Sequence, residues 1–176
     1  MSSAESTSGV VVWLTGLPSS GKSTLARRIH EVLQSSGRAA VVLDGDEVRG
    51  CLVPNPGYDD VGRDHFYETL ARLAALLERQ ALVVLVPATA NRSAYRQRAR
   101  QLSRRFIEVF VDTSADVCAE RDSRGLWAGA RAGDILSLPG SGVAYEPPDA
   151  PAIRAAGGLD DRARDAIVAA IASGEA

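Results

Sequence analysis

The chain has 176 residues, 45% of them hydrophobic, the size and composition of one globular domain with a sizeable core. A formal net charge of −2 offers no broad basic field for nucleic acid, and no apolar run approaches the length of a membrane span. Cys51 and Cys118 lie far apart without the spacing of a metal site or disulfide framework, so reduced thiols and a cytoplasmic setting are expected.

Residues 1–9 are small and polar and read as a disordered tail without the apolar core of a signal peptide. Residues 10–176 read as a single domain. Val10 to Leu14 is an apolar run, expected as a buried strand. It breaks into a glycine-rich turn, and a helix is expected from about Gly21 to Ser35, ending near Gly37. Ala39 to Leu43 is a second buried strand, ending in Asp44-Gly45-Asp46, with a short helix over Asp46 to Gly50. Pro54, Pro56 and Gly57 make Cys51 to Asp60 a loop. Leu70, Leu73, Ala74 and Leu77 form the apolar stripe of a long helix over Arg63 to Gln80.

Ala81 to Val86 is a third strand, Pro87 to Asn91 a turn, and Ser93 to Ser103 a helix. Phe106 to Val111 is a fourth strand, and Ser114 to Arg121 a helix that Thr113 or Ser114 could cap. Residues 122–150 are rich in glycine and proline with little periodicity. A stretch that long is usually functional, often a lid. A short strand near Ala152 to Arg154 and a helix over Leu159 to Ile171 close the chain. Strands alternating with helices predict an α/β fold with a mostly parallel central sheet flanked by helices. Ligands in such sheets bind outside the carboxyl ends of the strands, where Gly16–Ser23, Asp44–Asp46, Pro87–Asn91 and Asp112 would gather.

The first turn, Gly16-Leu17-Pro18-Ser19-Ser20-Gly21-Lys22-Ser23, fits G-x-x-x-x-G-K-[ST] in the strand–turn–helix context that motif requires. Its glycines let backbone N–H groups face a phosphate, and the helix N-terminus adds partial positive charge. Lys22 can reach the β- and γ-phosphates of ATP, and the Ser23 hydroxyl can ligate Mg²⁺. Lys22 is the only lysine in the chain; the other cationic side chains are arginines and two histidines. A compact ammonium suits a phosphate-bound loop better than a planar guanidinium does.

Asp44 and Asp46 can divide two tasks of phosphoryl transfer, one holding Mg²⁺-bound water and one accepting the acceptor's proton. Taken without the glycine-rich turn, the same pair is a turn with a helix cap. Arg49 lies one helical turn after Asp46 and could clamp an anionic substrate. Arg121 and Arg131 lie in the long loop, where arginines can stack on adenine and close over phosphates. The arginines at 92, 96, 98, 100, 104 and 105 read as a solvated helix face, with an anion patch as the other reading. His30 and His65 read as structural.

With these pieces, the sequence resembles the adenylylsulfate (APS) kinases. WLTGLPSSGKST at 13–24, LDGDEVRG at 43–50, FIEVFVDTSADVCAERDSRGLWAGARAGDI at 106–135 and YEPP at 145–148 occur in the family's order and spacing. The resemblance implies a P-loop nucleoside-triphosphate kinase fold with a mobile lid over about residues 122–145. It implies ATP and Mg²⁺ as cofactors, transfer of the γ-phosphoryl to the 3′-hydroxyl of APS to give PAPS, a place in sulfate assimilation, and a homodimer. Carried over by position, Gly16, Ser19, Ser20, Gly21, Lys22, Ser23 and Thr24 hold the ATP phosphates. Asp46 is the candidate base, Arg49 and Arg63 hold the acceptor, and Arg121 borders the ATP adenine.

The departures fall where the family holds its acceptor. In place of D-R-x-x-N-I-R-R stands Gly62 to Thr69, which keeps Arg63 but has Phe66, Glu68 and Thr69 for the asparagine and two arginines. In place of I-S-P stands Thr89-Ala90-Asn91. Ala128-Gly129 replaces two lysines, and Ser137-Leu138-Pro139-Gly140 replaces N-F-T-G, leaving Tyr58 as one aromatic face. A site that loses polar groups relaxes or redirects its choice of substrate, with Arg92 or Arg96 as possible compensation. Three readings result: an APS kinase with an altered pocket, a paralogous kinase for another nucleotide-like or specialised-metabolite alcohol, and a catalytically silent nucleotide-binding module.

Overall fold

A computed structural model describes residues 8–174. Residues 1–7 of the expected tail lie outside them. The elements are β1 (Val10–Thr15), α1 (Lys22–Ser35), β2 (Ala40–Val42), α2 (Gly45–Cys51), α3 (Asp60–Glu78) and β3 (Val83–Pro87). They continue with α4 (Ser93–Leu102), β4 (Phe106–Val111), α5 (Ala115–Glu120), α6 (Leu126–Ala132), β5 (Ile153–Ala155) and α7 (Asp161–Ser173).

All strand pairs are parallel, in the order β2-β3-β1-β4-β5. β1 is central, with Val12 level with Leu85 on one side and Ile107 on the other. Both faces of β1 are covered, which is why its sequence is an uninterrupted apolar run. Val10, Val12 and Leu14 pack with Leu25 and Ile29 of α1 and Ile167 of α7. Val11 and Trp13 point the other way, into Phe66, Leu70 and Ala74 of α3 and Tyr95 of α4. Each fully buried aliphatic or aromatic side chain in these layers contributes roughly 1.5–3 kcal/mol. Among the described residues no helix is long and apolar enough to cross a membrane.

Three elements depart from expectation for local reasons. Helix α3 starts at Asp60 rather than Arg63, because the Asp59 carboxylate accepts from the Gly62 N–H and caps a turn that had read as loop. β3 starts at Val83, because Ala81 closes a turn, its N–H bonded to the Glu78 carbonyl at a left-handed φ of 65°. Inside the glycine-rich 122–150 stretch sits α6. Both Asp122 oxygens accept from its first N–H groups, at Leu126, Trp127 and Ala128, and buried Trp127 donates its indole N–H to the Pro18 carbonyl.

Candidate active site

The carboxyl ends of β1, β2 and β3 open into one cleft of about 1400 Å³. The turn after β1 is built as an anion cradle. Gly16, Ser19 and Gly21 hold φ of 154°, 66° and 101°, and the amides of Ser19, Gly21, Lys22, Ser23 and Thr24 make no hydrogen bond within the described residues. Those amides and the start of α1 converge on the cleft. Ser20 and Gly16 shape the turn from behind: Ser20 is fully buried, and its carbonyl accepts from Thr113.

Lys22 closes the cradle. Its ammonium donates to the carbonyls of Gly16 and Leu17, at 3.1 and 2.7 Å. Burial pushes its pKa from 10.5 down to about 8, against the opposing pull of the Asp46 and Asp44 carboxylates. Asp44 serves two neighbours at once. Its Oδ1 accepts from the Asp46 N–H and caps α2, while its Oδ2 accepts from the Ser23 hydroxyl at 2.5 Å. The helix cap is therefore present, and it leaves the second carboxylate oxygen beside the Ser23 hydroxyl. A hydroxyl and a carboxylate side by side, facing free amides, fit a hard cation such as Mg²⁺ that takes few protein oxygens and its remaining ligands from phosphate and water. Asp46 points across the cleft and pairs with Arg124, from the turn before α6.

The far half of the cleft holds the groups with which the family is expected to hold its acceptor. Arg49 is buried between two rings, 3.8 Å from the Phe66 centroid and 4.4 Å from that of Tyr58. Its Nη1 donates to the carbonyls of Pro56 and Gly57, which ties the loop before α3 to α2. Arg63 is equally buried and has all three nitrogens engaged: Nε with the Tyr58 carbonyl, Nη1 with Asn91 Oδ1 and Nη2 with the Ser137 carbonyl. Tyr58 keeps one open face, at 56% exposure. Thr89 and Leu138 complete this wall.

Several expected residues stand elsewhere. Ala90 is fully buried and turned from the cleft, with its N–H on the Tyr67 hydroxyl and its carbonyl on Arg96. Arg131 is exposed on α6 and does not line the cleft, whereas Arg121 does. Asp112, at the end of β4, pairs with Arg154 in a separate, shallower depression. Arg92 and Arg96 cannot compensate for lost acceptor contacts. Arg92 is engaged with Asp60 and Asp64, and Arg96 forms a buried pair with Glu108. Arg98 and Arg100 likewise pair with Glu68 and Glu108, so this helix face is laced with ion pairs rather than simply solvated. His30 packs structurally, its ring bonded to the Ala40 carbonyl.

The cleft also contains groups that sequence reasoning missed. Arg124 carries no signal beyond its place near Arg121. The Ala156–Asp160 loop lies against Gly21 and Thr24, close enough that a Cβ on Gly158 would sit 2.7 Å from the Gly21 carbonyl oxygen. The adjacent glycines at 157 and 158, between β5 and α7, were the available signal.

Comparison with known proteins agrees with this geometry. The sequence model of the family described as adenylylsulphate kinase matches residues 8–156. An adenylyl-sulfate kinase of Synechococcus sp. (strain JA-3-3Ab) is 42% identical over 145 residues, 82% of each chain. One from Aeromonas hydrophila is 40% identical over 146 residues, covering 82% of this chain and 74% of its own. The structure of the Mycobacterium tuberculosis APS kinase CysC, in complex with AMPPNP and APS, superposes with a TM-score of 0.85 at 36% identity, covering 91% of this chain and 96% of that one. By its glycine-rich cradle, its paired carboxylates and these similarities, the chain belongs to the adenylylsulphate kinase family.

Proposed function

We propose that the protein transfers the γ-phosphoryl of ATP to the 3′-hydroxyl of adenosine 5′-phosphosulfate. The observation that carries this is the convergence, in one cleft, of the free cradle amides and Lys22 with Asp46 across from them. The M. tuberculosis relative that superposes so closely is described with AMPPNP and APS. In this reading the cradle from Gly16 to Thr24 holds the ATP phosphates, and Arg121 with the Ala156–Asp160 loop borders the adenine. Ser23 and Asp44 would hold Mg²⁺, which when bound would neutralise phosphate charge.

Asp46 accepts the proton of the acceptor hydroxyl as its oxygen bonds to the γ-phosphorus and the bond to the ADP oxygen breaks. Arg124, released from Asp46, is free to follow the phosphoryl charge. The open face of Tyr58 stacks on the acceptor's base, and the edge of Arg49 that makes no protein hydrogen bond meets its anionic group. Residues 122–145 act as the lid over both substrates, residues 10–176 form one catalytic domain, and the enzyme is a cytoplasmic homodimer.

The experiment is direct. Purified protein with ATP, Mg²⁺ and APS should yield ADP and PAPS in equal amounts, and Asp46→Ala should bind ATP as wild type does while forming PAPS at least a hundredfold more slowly. Turnover with a different nucleotide-like alcohol and none with millimolar APS would reassign the acceptor. Full activity of Asp46→Ala would remove Asp46 from the reaction.

A further inference from the structure

The turn that follows β3 is held more tightly than its length explains. Ala90 adopts a left-handed φ of 42°, uncommon for a residue with a Cβ and tolerated where surrounding structure enforces it. Every peptide around it is gripped by a side chain. Thr15 donates its hydroxyl to the Thr89 carbonyl at 2.6 Å. The Ala90 N–H donates to the Tyr67 hydroxyl at 2.9 Å, and Arg96 Nη1 donates to the Ala90 carbonyl at 2.6 Å. The Asn91 side chain accepts from Arg63 and donates to the Ala144 carbonyl.

The two neighbours of Ala90 both bear on the acceptor half of the cleft: Thr89 lines it directly, and buried Asn91 steadies Arg63, which in turn holds Tyr58 and Ser137. The grips on Thr89, Asn91 and the Ala90 carbonyl come from Thr15, Arg63, Ala144 and Arg96. The grip on the Ala90 N–H comes from Tyr67 alone, and Tyr67 is itself fixed by a stacked contact with Tyr95, ring centroids 4.4 Å apart. A buried N–H at a strained residue has no alternative partner once that hydroxyl is gone.

We infer that Tyr67 is a positioning residue for acceptor selection: its hydroxyl holds Ala90 left-handed, and that turn sets where Thr89 and Arg63 stand. The inference rests on the acceptor reading proposed above. Tyr67 itself lines the cleft beside Arg63, Phe66 and Thr89, so its effect is expected on the acceptor side. Its ring also packs in the core against Phe66 and Tyr95, so the test removes only the oxygen.

Steady-state kinetics of Tyr67→Phe, with ATP and APS varied separately, should show the KM for APS raised about tenfold and the KM for ATP within twofold of wild type. Adding Ala90→Gly, which makes the left-handed conformation freely accessible, should bring the APS KM back to within about threefold of wild type in the double variant. A purely structural role for the hydroxyl predicts a lower melting temperature with both KM values unchanged, and that result overturns the inference. So does a tenfold APS defect that Ala90→Gly leaves untouched. The two levels separate cleanly: no PAPS from the wild-type protein overturns the acceptor assignment and this inference with it, whereas wild-type turnover with an unaltered Tyr67→Phe overturns the role of Tyr67 only.

Discussion

Lys22 offers a quantitative test of the cradle, because it is the only lysine in the sequence. Burial at the base of the cleft lowers its pKa from 10.5 to about 8, so at pH 7.4 roughly one-fifth of the molecules carry a neutral amine, against about one in a thousand for an ordinary lysine. The difference corresponds to about 3 kcal/mol. Its sign is set by the unfolded chain, which holds the proton between pH 8 and 10.5 when the folded one does not. Stability therefore carries this cost below pH 8 and recovers it as pH rises towards 10.5. The assay is acylation with an excess of a small amine-reactive ester across pH 6–11, with tandem mass spectrometry of the arginine-cleaved peptide placing the acyl group on Lys22 rather than on the α-amine. Acylation should rise through a midpoint near 8. ATP should suppress it at pH 8, because phosphate oxygens beside the ammonium favour the charged form. The stability of wild type relative to Lys22→Met should rise between pH 8 and 10.5, a difference in which the opposite contributions of Cys118, Tyr67, Tyr95 and Tyr145, all raised by burial, cancel. A midpoint at or above 10 refutes the burial argument, and labelling indifferent to ATP removes Lys22 from the phosphate site.

Two further substitutions test the frame around that cradle. Gly158→Ala places a Cβ 2.7 Å from the Gly21 carbonyl oxygen and 2.8 Å from Thr24 Cβ, backbone and branch atoms that have little room to yield. ATP affinity by calorimetry should fall at least tenfold, and an unchanged value would show that the 156–160 loop does not set the position of the cradle. Arg96→Met leaves the Glu108 carboxylate, 12% exposed, with only the half-exposed Arg100 guanidinium 3.4 Å away and strips the Ala90 and Glu146 carbonyls of a donor. Urea unfolding should show a loss of about 3–5 kcal/mol, and a loss under 1 kcal/mol would mean that water replaces the pair.

The parts of the fold that were legible in the sequence are those in which local pattern and burial agree. Val10–Leu14 is an apolar run, and Phe106–Val111 is one but for Glu108, because helices cover both faces of the sheet, and the cradle announces itself by spacing. What was not legible depended on one polar side chain reaching several residues along. Asp59 starts α3 three residues early, and Asp122 nucleates α6 in a stretch whose glycines hid it. Of the loop arginines, Arg131 was expected at the nucleotide and Arg124 carried no signal of its own. Only the turn at Gly125 separates them, sending Arg124 to Asp46 and leaving Arg131 on the outer side of α6.

The departures from the family pattern carry a related lesson. Glu68 and Thr69, which stand where the family has two arginines, do not line the cleft: Glu68 accepts from Arg72 and Arg98, and Thr69 donates back to the His65 carbonyl. Ala128 is exposed on α6, and Gly129 packs on Ile135. Counting each replaced cation as a lost acceptor contact, at 1.5–3 kcal/mol apiece, would predict a severe loss of affinity of roughly 6–12 kcal/mol for the four positions. Four positions that do not line the cleft in this conformation contribute none of it directly. The replacements that do line it are Phe66, Tyr67, Thr89, Ser137, Leu138 and Pro139, and they act mainly by shape. Phe66 gives Arg49 a ring to lie on instead of an amide beside it, Thr89 puts a hydroxyl at the wall where the family pattern has isoleucine, and Leu138 substitutes an aliphatic surface. Such changes alter the shape of the wall and leave in place Arg49 and Arg63, the cations proposed for an anionic acceptor. An acceptor panel read by KM should therefore separate ligands more by ring and sugar shape than by total charge.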